Sequence, residues 1–330
     1  MAIVKVHTGE EFECGDNETI ARAALRSGLG FPYECNSGSC GTCKFTTLDG
    51  EFENLYPEAP AITERDTRKN RLLGCQCTPI GDVEIKVMLS DEYIPKYSPS
   101  EQAANLISIN PITHDISAFS FKVEKTKEFI PGQYSILTIP GLGKRAYSMS
   151  NLPKDGVLEF MIKNMKNGGV SDYLFSERAL SHGDAIALDG PYGIAHYRYN
   201  ERDKICIAGG SGLAPMLSIA REHISSNQES RLHFLFGGKT DADLLPLDEF
   251  RNLVGDRKGL IEYYPVASVY SESSYTITGF LHDVLLSLFK ENLGSYDIYC
   301  AGPPVMTASL EKSLFESGFP QEQLIFDRYC

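Results

Sequence analysis

Three cysteines fall within nine positions, at Cys35, Cys40 and Cys43, and two more follow at Cys75 and Cys77. The spacing C-x4-C-x2-C with a distant fourth thiol is that of a plant-type 2Fe–2S site, because such clusters are held by four thiolates. Gly38 and Gly41 lie inside the run, beside Ser37 and Ser39. Glycine permits the tight turns of a loop wound round a cluster, and backbone amides and hydroxyls can donate to its sulfurs. Zinc is the competing chemistry, but zinc motifs typically pair two short knuckles, whereas three thiols crowd one loop here. A group of buried structural cysteines is the blander alternative. In a strand Cys75 and Cys77 would share a face, so spacing does not choose between them. The nine cysteines of the chain, an odd number, fit disulfide pairing poorly.

A second constellation lies in KRAYSMS, Lys144 to Ser150. On a strand, Arg145 and Tyr147 point one way and Ser148 the other. A guanidinium fork suits a pyrophosphate and a tyrosine face suits a flavin ring; an exposed strand with an ion pair is the simpler alternative. NGGVS, Asn167 to Ser171, strengthens the flavin reading, because Gly168, Gly169 and Val170 would open a helix whose amides and dipole face a phosphate. Lys163 joins these residues as a cofactor-binding cation. In CIAGGSGLAPM, Gly210-x-Gly212-x-x-Pro215 follows an apolar strand and opens a helix. It departs from the G-x-G-x-x-G pattern, and an ordinary strand–helix turn would look similar. Its place after a strand favours a phosphate cradle, with Pro215 expected at the first helical position. In GGKTDADL, where an adenosine ribose is expected, one cation, Lys239, stands against Asp241 and Asp243. That balance disfavours a 2′-phosphate and points to NADH, although the two acids also suit a helix N-terminal turn.

The elements that must position these residues change character along the chain. MAIVKVHTGEEFEC alternates like a hairpin, NETIARAALRSGL has helical spacing after a capping Asn17, and DVEIKVML reads as a strand. Tyr93 to Gln102, with two prolines and two serines, reads as a linker. From Asn105 to about Tyr199, short strands with Gly and Pro turns suggest an antiparallel barrel. From Asp203, strands and helices alternate as in a parallel doubly wound sheet. The 330 residues suffice for two or three domains. A net charge of −13 argues against nucleic acid or an anionic membrane as partner. No apolar run has the length of a membrane span, and the N-terminus lacks a signal-peptide core. A cytoplasmic location is expected.

FPYECNSGSCGTCK and NRLLGCQC resemble the plant-type ferredoxin domain of bacterial oxygenase reductases, above all those of aromatic-hydrocarbon monooxygenases and ring-hydroxylating dioxygenases. KRAYS and GGVS are similar to the R-x-Y-S and G-x-x-S signatures of the ferredoxin–NADP reductase superfamily. The resemblance implies a multidomain chain of mixed α+β and α/β class. A 2Fe–2S ferredoxin domain of β-grasp type would occupy 1–92, a linker 93–102, an FAD-binding β-barrel 103–200 and an NAD-binding α/β domain 201–330. It implies Cys75 as fourth ligand and Cys77 as a packed thiol. Arg145 and Ser171 would hold the FAD pyrophosphate, Tyr147 would stack on the isoalloxazine, and Ser148 would sit near the position that accepts hydride. Gly190 to Gly193, GPYG, matches the family's turn into the next domain. YCAGPPVM departs from the family's C-G-P-P: Ala301 precedes Gly302, so Cys300 is expected as a core thiol, with Gly302 and Pro303 beside the nicotinamide. The ending FDRYC implies Tyr329 over the flavin face. The implied activity is oxidation of NADH through FAD and a 2Fe–2S cluster. Electrons would pass to a Rieske-type ferredoxin or directly to an oxygenase component, the reductase acting as a monomer.

Overall fold

A computed structural model describes the chain except residues 126, 155, 167, 177–178, 227–228, 257–258 and 329–330, and only the backbone of residue 328. The chain divides into two compact units. The first takes Met1–Glu101 and Asp189–Ile194; the second takes Gln102–Leu188 and the chain from Ala195 onward.

In the first unit the expected hairpin forms from β1 (Ala2–Val6) and β2 (Glu11–Cys14). Helix α1 (Ile20–Arg26) buries Ile20, Ala21, Ala23, Ala24 and Leu25. Its N-cap is Thr19, not Asn17, which adopts a left-handed turn conformation (φ 61°) before the helix begins. Asn tolerates that region because its short polar side chain bonds locally, and the same chemistry makes it resemble a cap in sequence. Strand β3 (Lys44–Asn54), the single turn α2 (Glu64–Thr67), β4 (Arg71–Leu73) and β5 (Cys77–Lys86) complete the unit. The sheet order is β2-β1-β5-β3-β4, with β1 and β5 parallel and the other pairs antiparallel. This mixed sheet with one helix across it is the expected β-grasp arrangement.

The second unit holds two sheets. The first comprises β6 (Ser100–Pro111), β7 (Ile116–Val123), β8 (Tyr134–Ile139), β9 (Gly143–Ser148), β10 (Val157–Lys163) and β11 (Ala185–Tyr192), with the short helix α3 (Val170–Leu174). Ser100, inside the stretch read as a linker, already begins β6. The strand order is β10-β7-β6-β11-β8-β9, and a bridge between Met149 and Phe160 joins the two edges. Closure removes the exposed edges an open sheet would leave. Phe119, Phe121, Leu137, Phe160 and Leu188 fill the interior.

The other sheet begins with β12 (Asp203–Gly209), α4 (Leu213–Ser225) and β13 (Leu232–Gly238). It continues with α5 (Leu247–Val254), β14 (Ile261–Ala267), β15 (Ile277–Thr278) and α6 (Leu281–Phe289), then β16 (Tyr296–Gly302), α7 (Pro304–Glu316) and β17 (Leu324–Arg328). All its pairs are parallel, in the order β15-β14-β13-β12-β16-β17. Alternation along β12 sends Cys206 and Ala208 to the face covered by α4 and α5, and Ile205 and Ile207 to the face covered by α6 and α7. Helices on both faces make it doubly wound.

Candidate active site and electron-transfer centre

The thiols of the first unit converge because of a ladder. Strands β3 and β4 pair Lys44 with Leu73, and just beyond that rung the Gly74 N–H donates to the Cys43 carbonyl at 2.9 Å. The pairing brings the Cys43 and Cys75 sulfurs to 3.3 Å. Cys75 lies in a 3-10 turn, Gly74–Gln76, rather than in a strand, so strand alternation does not put it on the Cys77 face. Cys77 is the first residue of β5, fully buried, and burial pushes its thiol up to about 12. On the other side of the loop, the Ser37 and Cys40 amides each donate to Cys35 Sγ at 3.4 Å. The Cys40 thiol, and then Ser37, hold the Cys35 thiol well below its ordinary range despite burial. Gly38 has φ 82°, and a Cβ there would come within 3.2 Å of Tyr56 and Gln76 side chains. Two amides aimed at one sulfur, four thiols in one loop and turn, and a left-handed glycine at Gly38 fit a 2Fe–2S cluster held by Cys35, Cys40, Cys43 and Cys75.

The flavin and nicotinamide candidates lie in the second unit. On β9, residues 143–146 including Arg145 are exposed, Tyr147 is half-buried and Ser148 buried, so burial deepens toward the end of the strand and does not alternate from face to face. Arg145 donates to the Lys144 carbonyl at 2.9 Å, and burial pushes the Tyr147 hydroxyl up to about 12. Ser171 is buried in the first turn of α3, where a Cβ on Gly168 would come within 2.3 Å of its hydroxyl. Because α3 has only five residues, the expected dipole contribution is small. Asn167 of the same motif lies outside the described residues.

At the carboxyl ends of β12 and β16 two glycine turns touch. Gly210–Gly212 forms a 3-10 turn before α4, and a Cβ on Gly212 would stand 2.0 Å from the Ala301 carbonyl oxygen. Gly302 packs its backbone against Gly209, with Pro303 capping α7. Pro215 is the third residue of α4, not the first. Its missing N–H still falls among the amides that need no helical acceptor. Lys163, at the end of β10, is the barrel cation that reaches this cradle: a Cβ on Gly210 would stand 3.7 Å from its ammonium nitrogen. Lys239 is exposed and beyond the cradle, and its amide donates to Asp243. Asp241 and Asp243 are both engaged in loop hydrogen bonds, to Ser271, Glu272 and Thr276 and to Lys239 and Thr240 respectively. Cys300 is fully buried among Ile298, Leu310 and Leu314.

One residue that sequence reasoning passes over enters the site. Ser148 Oγ donates to Asp327 Oδ2 at 2.8 Å, across 179 positions of chain. Asp327 lies in β17, which adds to the sheet beside β16, so the start of the FDRYC ending belongs to a strand. Burial raises its carboxyl to about 6, the Ser148 hydrogen bond pulling the other way. An acid inside the apolar run LIFD was the available signal. Tyr329 lies outside the described residues.

Residues 4–79 match the model of the 2Fe-2S iron-sulfur cluster binding domain, 103–197 that of the oxidoreductase FAD-binding domain and 206–312 that of the oxidoreductase NAD-binding domain. The chain is 34% identical to a ferredoxin–NAD(P)(+) reductase of Metapseudomonas resinovorans, over 96% of each sequence. The chain belongs to the ferredoxin–NAD(P)(+) reductase family. It is 33% identical to the ferredoxin–NAD(+) reductase component of the alkene monooxygenase system of Xanthobacter autotrophicus, covering 99% of this reductase and 100% of that one. Among solved structures, the ferredoxin reductase in carbazole 1,9a-dioxygenase superposes with a TM-score of 0.91 at 32% identity, covering 100% of this chain and 98% of that one. This reductase is therefore an electron-transfer oxidoreductase with 2Fe–2S, FAD and NAD-binding domains. Among the described residues no helix is long and apolar enough to cross a membrane.

Proposed function

We propose that this reductase oxidises NADH and delivers single electrons to a Rieske-type ferredoxin of an oxygenase system. The observation that carries the reading is one chain holding a four-thiol loop, a closed flavin-type barrel and a doubly wound sheet with paired glycine turns. FAD held by the barrel residues would supply the conversion of a two-electron hydride from NADH into single electrons for a 2Fe–2S cluster held by the four thiols.

The residues bind and orient. Arg145 and the Ser171 turn hold the flavin pyrophosphate, with Gly168, Gly169 and Val170 lending backbone, and Tyr147 lies along the flavin ring. The Gly210–Pro215 turn, Lys163 and Lys239 hold the dinucleotide, and Gly302 and Pro303 shape the nicotinamide end. Ser148, fixed by Asp327, would present its hydroxyl at the reacting edge, and the role of covering that face is assigned to Tyr329 from the resemblance. Cys35, Cys40, Cys43 and Cys75 are the cluster ligands. The functional modules are 1–92, 103–200 and 201–330, joined by 93–102. The reductase works as a monomer in the cytoplasm.

The names of its relatives support a ferredoxin as acceptor, since two are ferredoxin reductases. Mixing the NADH-reduced protein with a Rieske-type ferredoxin and, separately, with an oxygenase component from the same gene neighbourhood tests this. Rapid ferredoxin reduction is expected; reduction of the oxygenase alone would replace the ferredoxin by direct delivery.

A further inference from the structure

The turn between β6 and β7 contains none of the motifs above, yet it touches the ribose-side loop directly and holds Lys163, whose ammonium lies beside the Gly210 turn. His114 Nδ1 lies 2.9 Å from the Ala242 carbonyl oxygen; a carbonyl can only accept, so that nitrogen carries the proton. Its Nε2 faces Asp115 Oδ2 at 3.7 Å and Asp243 Oδ1 at 3.9 Å. Asp115 Oδ2 stands 2.8 Å from the Lys163 ammonium, and its Oδ1 accepts from Thr113 at 3.1 Å. Asp243 in turn accepts the Lys239 and Thr240 amides at 3.0 Å each. His114, Asp115 and Asp243 offer three ligand atoms within 4.8 Å of one another, but the Lys163 ammonium already supplies the positive charge among them.

We propose that His114 and Asp115 are positioning residues for NADH. Asp115 aims Lys163 at the Gly210 turn, and His114 pins the 239–243 loop through Ala242 and Asp243. One rigid barrel turn thereby sets the separation of two loops that belong to different β–α connections. A dinucleotide contacts both at once, its pyrophosphate at the glycine turn and its adenosine ribose at the second loop. Loosening the brace costs dinucleotide binding and leaves the hydride step, which occurs at the Ser148 end, unchanged. The inference rests on the reading of these two loops as the NADH site.

The test is stopped-flow reduction of flavin by NADH in the full-length protein loaded with FAD and cluster. His114→Ala is expected to raise the half-saturating NADH concentration about fivefold, the equivalent of one lost neutral hydrogen bond. The limiting rate should stay within about twofold of the parent. His114→Asn, whose amide N–H can replace Nδ1–H, should recover most of the loss. Asp115→Asn should also raise the half-saturating concentration, because Lys163 loses its anchor. Unchanged saturation in both His114→Ala and Asp115→Asn overturns the brace, as does a loss that His114→Asn fails to recover. A parent protein that NADH does not saturate overturns the underlying reading of the loops and the brace with it, an outcome visible before any variant is made.

Discussion

The cysteine loop of the first unit and the hydride end of the second are built by opposite strategies. Three of the four thiols proposed as cluster ligands sit within nine residues, and the fourth arrives just beyond the last rung of a local β3–β4 ladder. The hydride end joins Ser148 to Asp327 across 179 positions and sets both near turns from two further strands. A site written in adjacent residues is fixed by covalent spacing and local turns. A site assembled from strand ends depends on the whole sheet being in register. The first kind should therefore fail by losing a ligand, and the second by small displacements or altered charge.

The largest effect expected from this contrast is at Cys75. Cys75→Ser removes a sulfur that touches Cys43 and should abolish the cluster, whereas Cys77→Ser alters a buried thiol outside the loop and should keep most of it. Iron and acid-labile sulfide measured on both purified variants check this. Loss of sulfide in Cys77→Ser with retention in Cys75→Ser would reverse the assignment.

Asp327 sharpens the other side of the comparison. Its folded carboxyl titrates near 6 against an ordinary 3.8. At acid pH both folded and unfolded chains hold the proton. As pH rises from about 4 to 6 the unfolded chain releases it first, so stability falls through that window. Above 6 the buried carboxylate costs about 3 kcal/mol at most, the equivalent of two pKa units. Asp327→Asn should therefore raise the melting temperature relative to the parent at pH 8 and give little gain at pH 4.5. An equal shift at both pH values would mean that the gain is packing and not charge.

These cases also show what the sequence made legible. The β/α rhythm after Asp203 fixed the doubly wound sheet because long apolar strands alternating with helices have few other uses. The convergence of the four thiols was readable because their chemistry and spacing coincide. What stayed hidden depends on tertiary placement. Strand β17 runs into FDRYC, a motif read only for its tyrosine, and the partner of Asp327, Ser148, lies 179 positions away. Asn17 resembles a cap, and only its left-handed backbone shows otherwise. Lys163 was visible as a cation, but Asp115, which pairs with it, and His114, which bonds the Ala242 carbonyl, gain meaning only when the barrel turn meets the 239–243 loop.

The smallest expected effect concerns the choice of nicotinamide. Asp241 and Asp243 keep their loop hydrogen bonds and their negative charge where a 2′-phosphate would lie, and burial-independent hydrogen bonds hold Asp241 below its ordinary range. NADH should be preferred to NADPH by at least about tenfold in kcat/KM, roughly 1.4 kcal/mol of transition-state preference. Steady-state ferricyanide reduction measures the ratio, and a value near one would show that the ribose does not meet these acids.

The most direct test of the whole scheme sets two acceptors side by side in the Cys75→Ser protein with FAD bound. Ferricyanide can draw electrons from flavin, while a one-electron protein acceptor such as a Rieske-type ferredoxin is expected to need the cluster. NADH-driven ferricyanide reduction should remain within about twofold of the parent, and ferredoxin reduction should fall by a hundredfold or more, about 2.7 kcal/mol of barrier. Ferredoxin reduction at the parent rate without the cluster would contradict a path that runs from nicotinamide through flavin to the four-thiol loop.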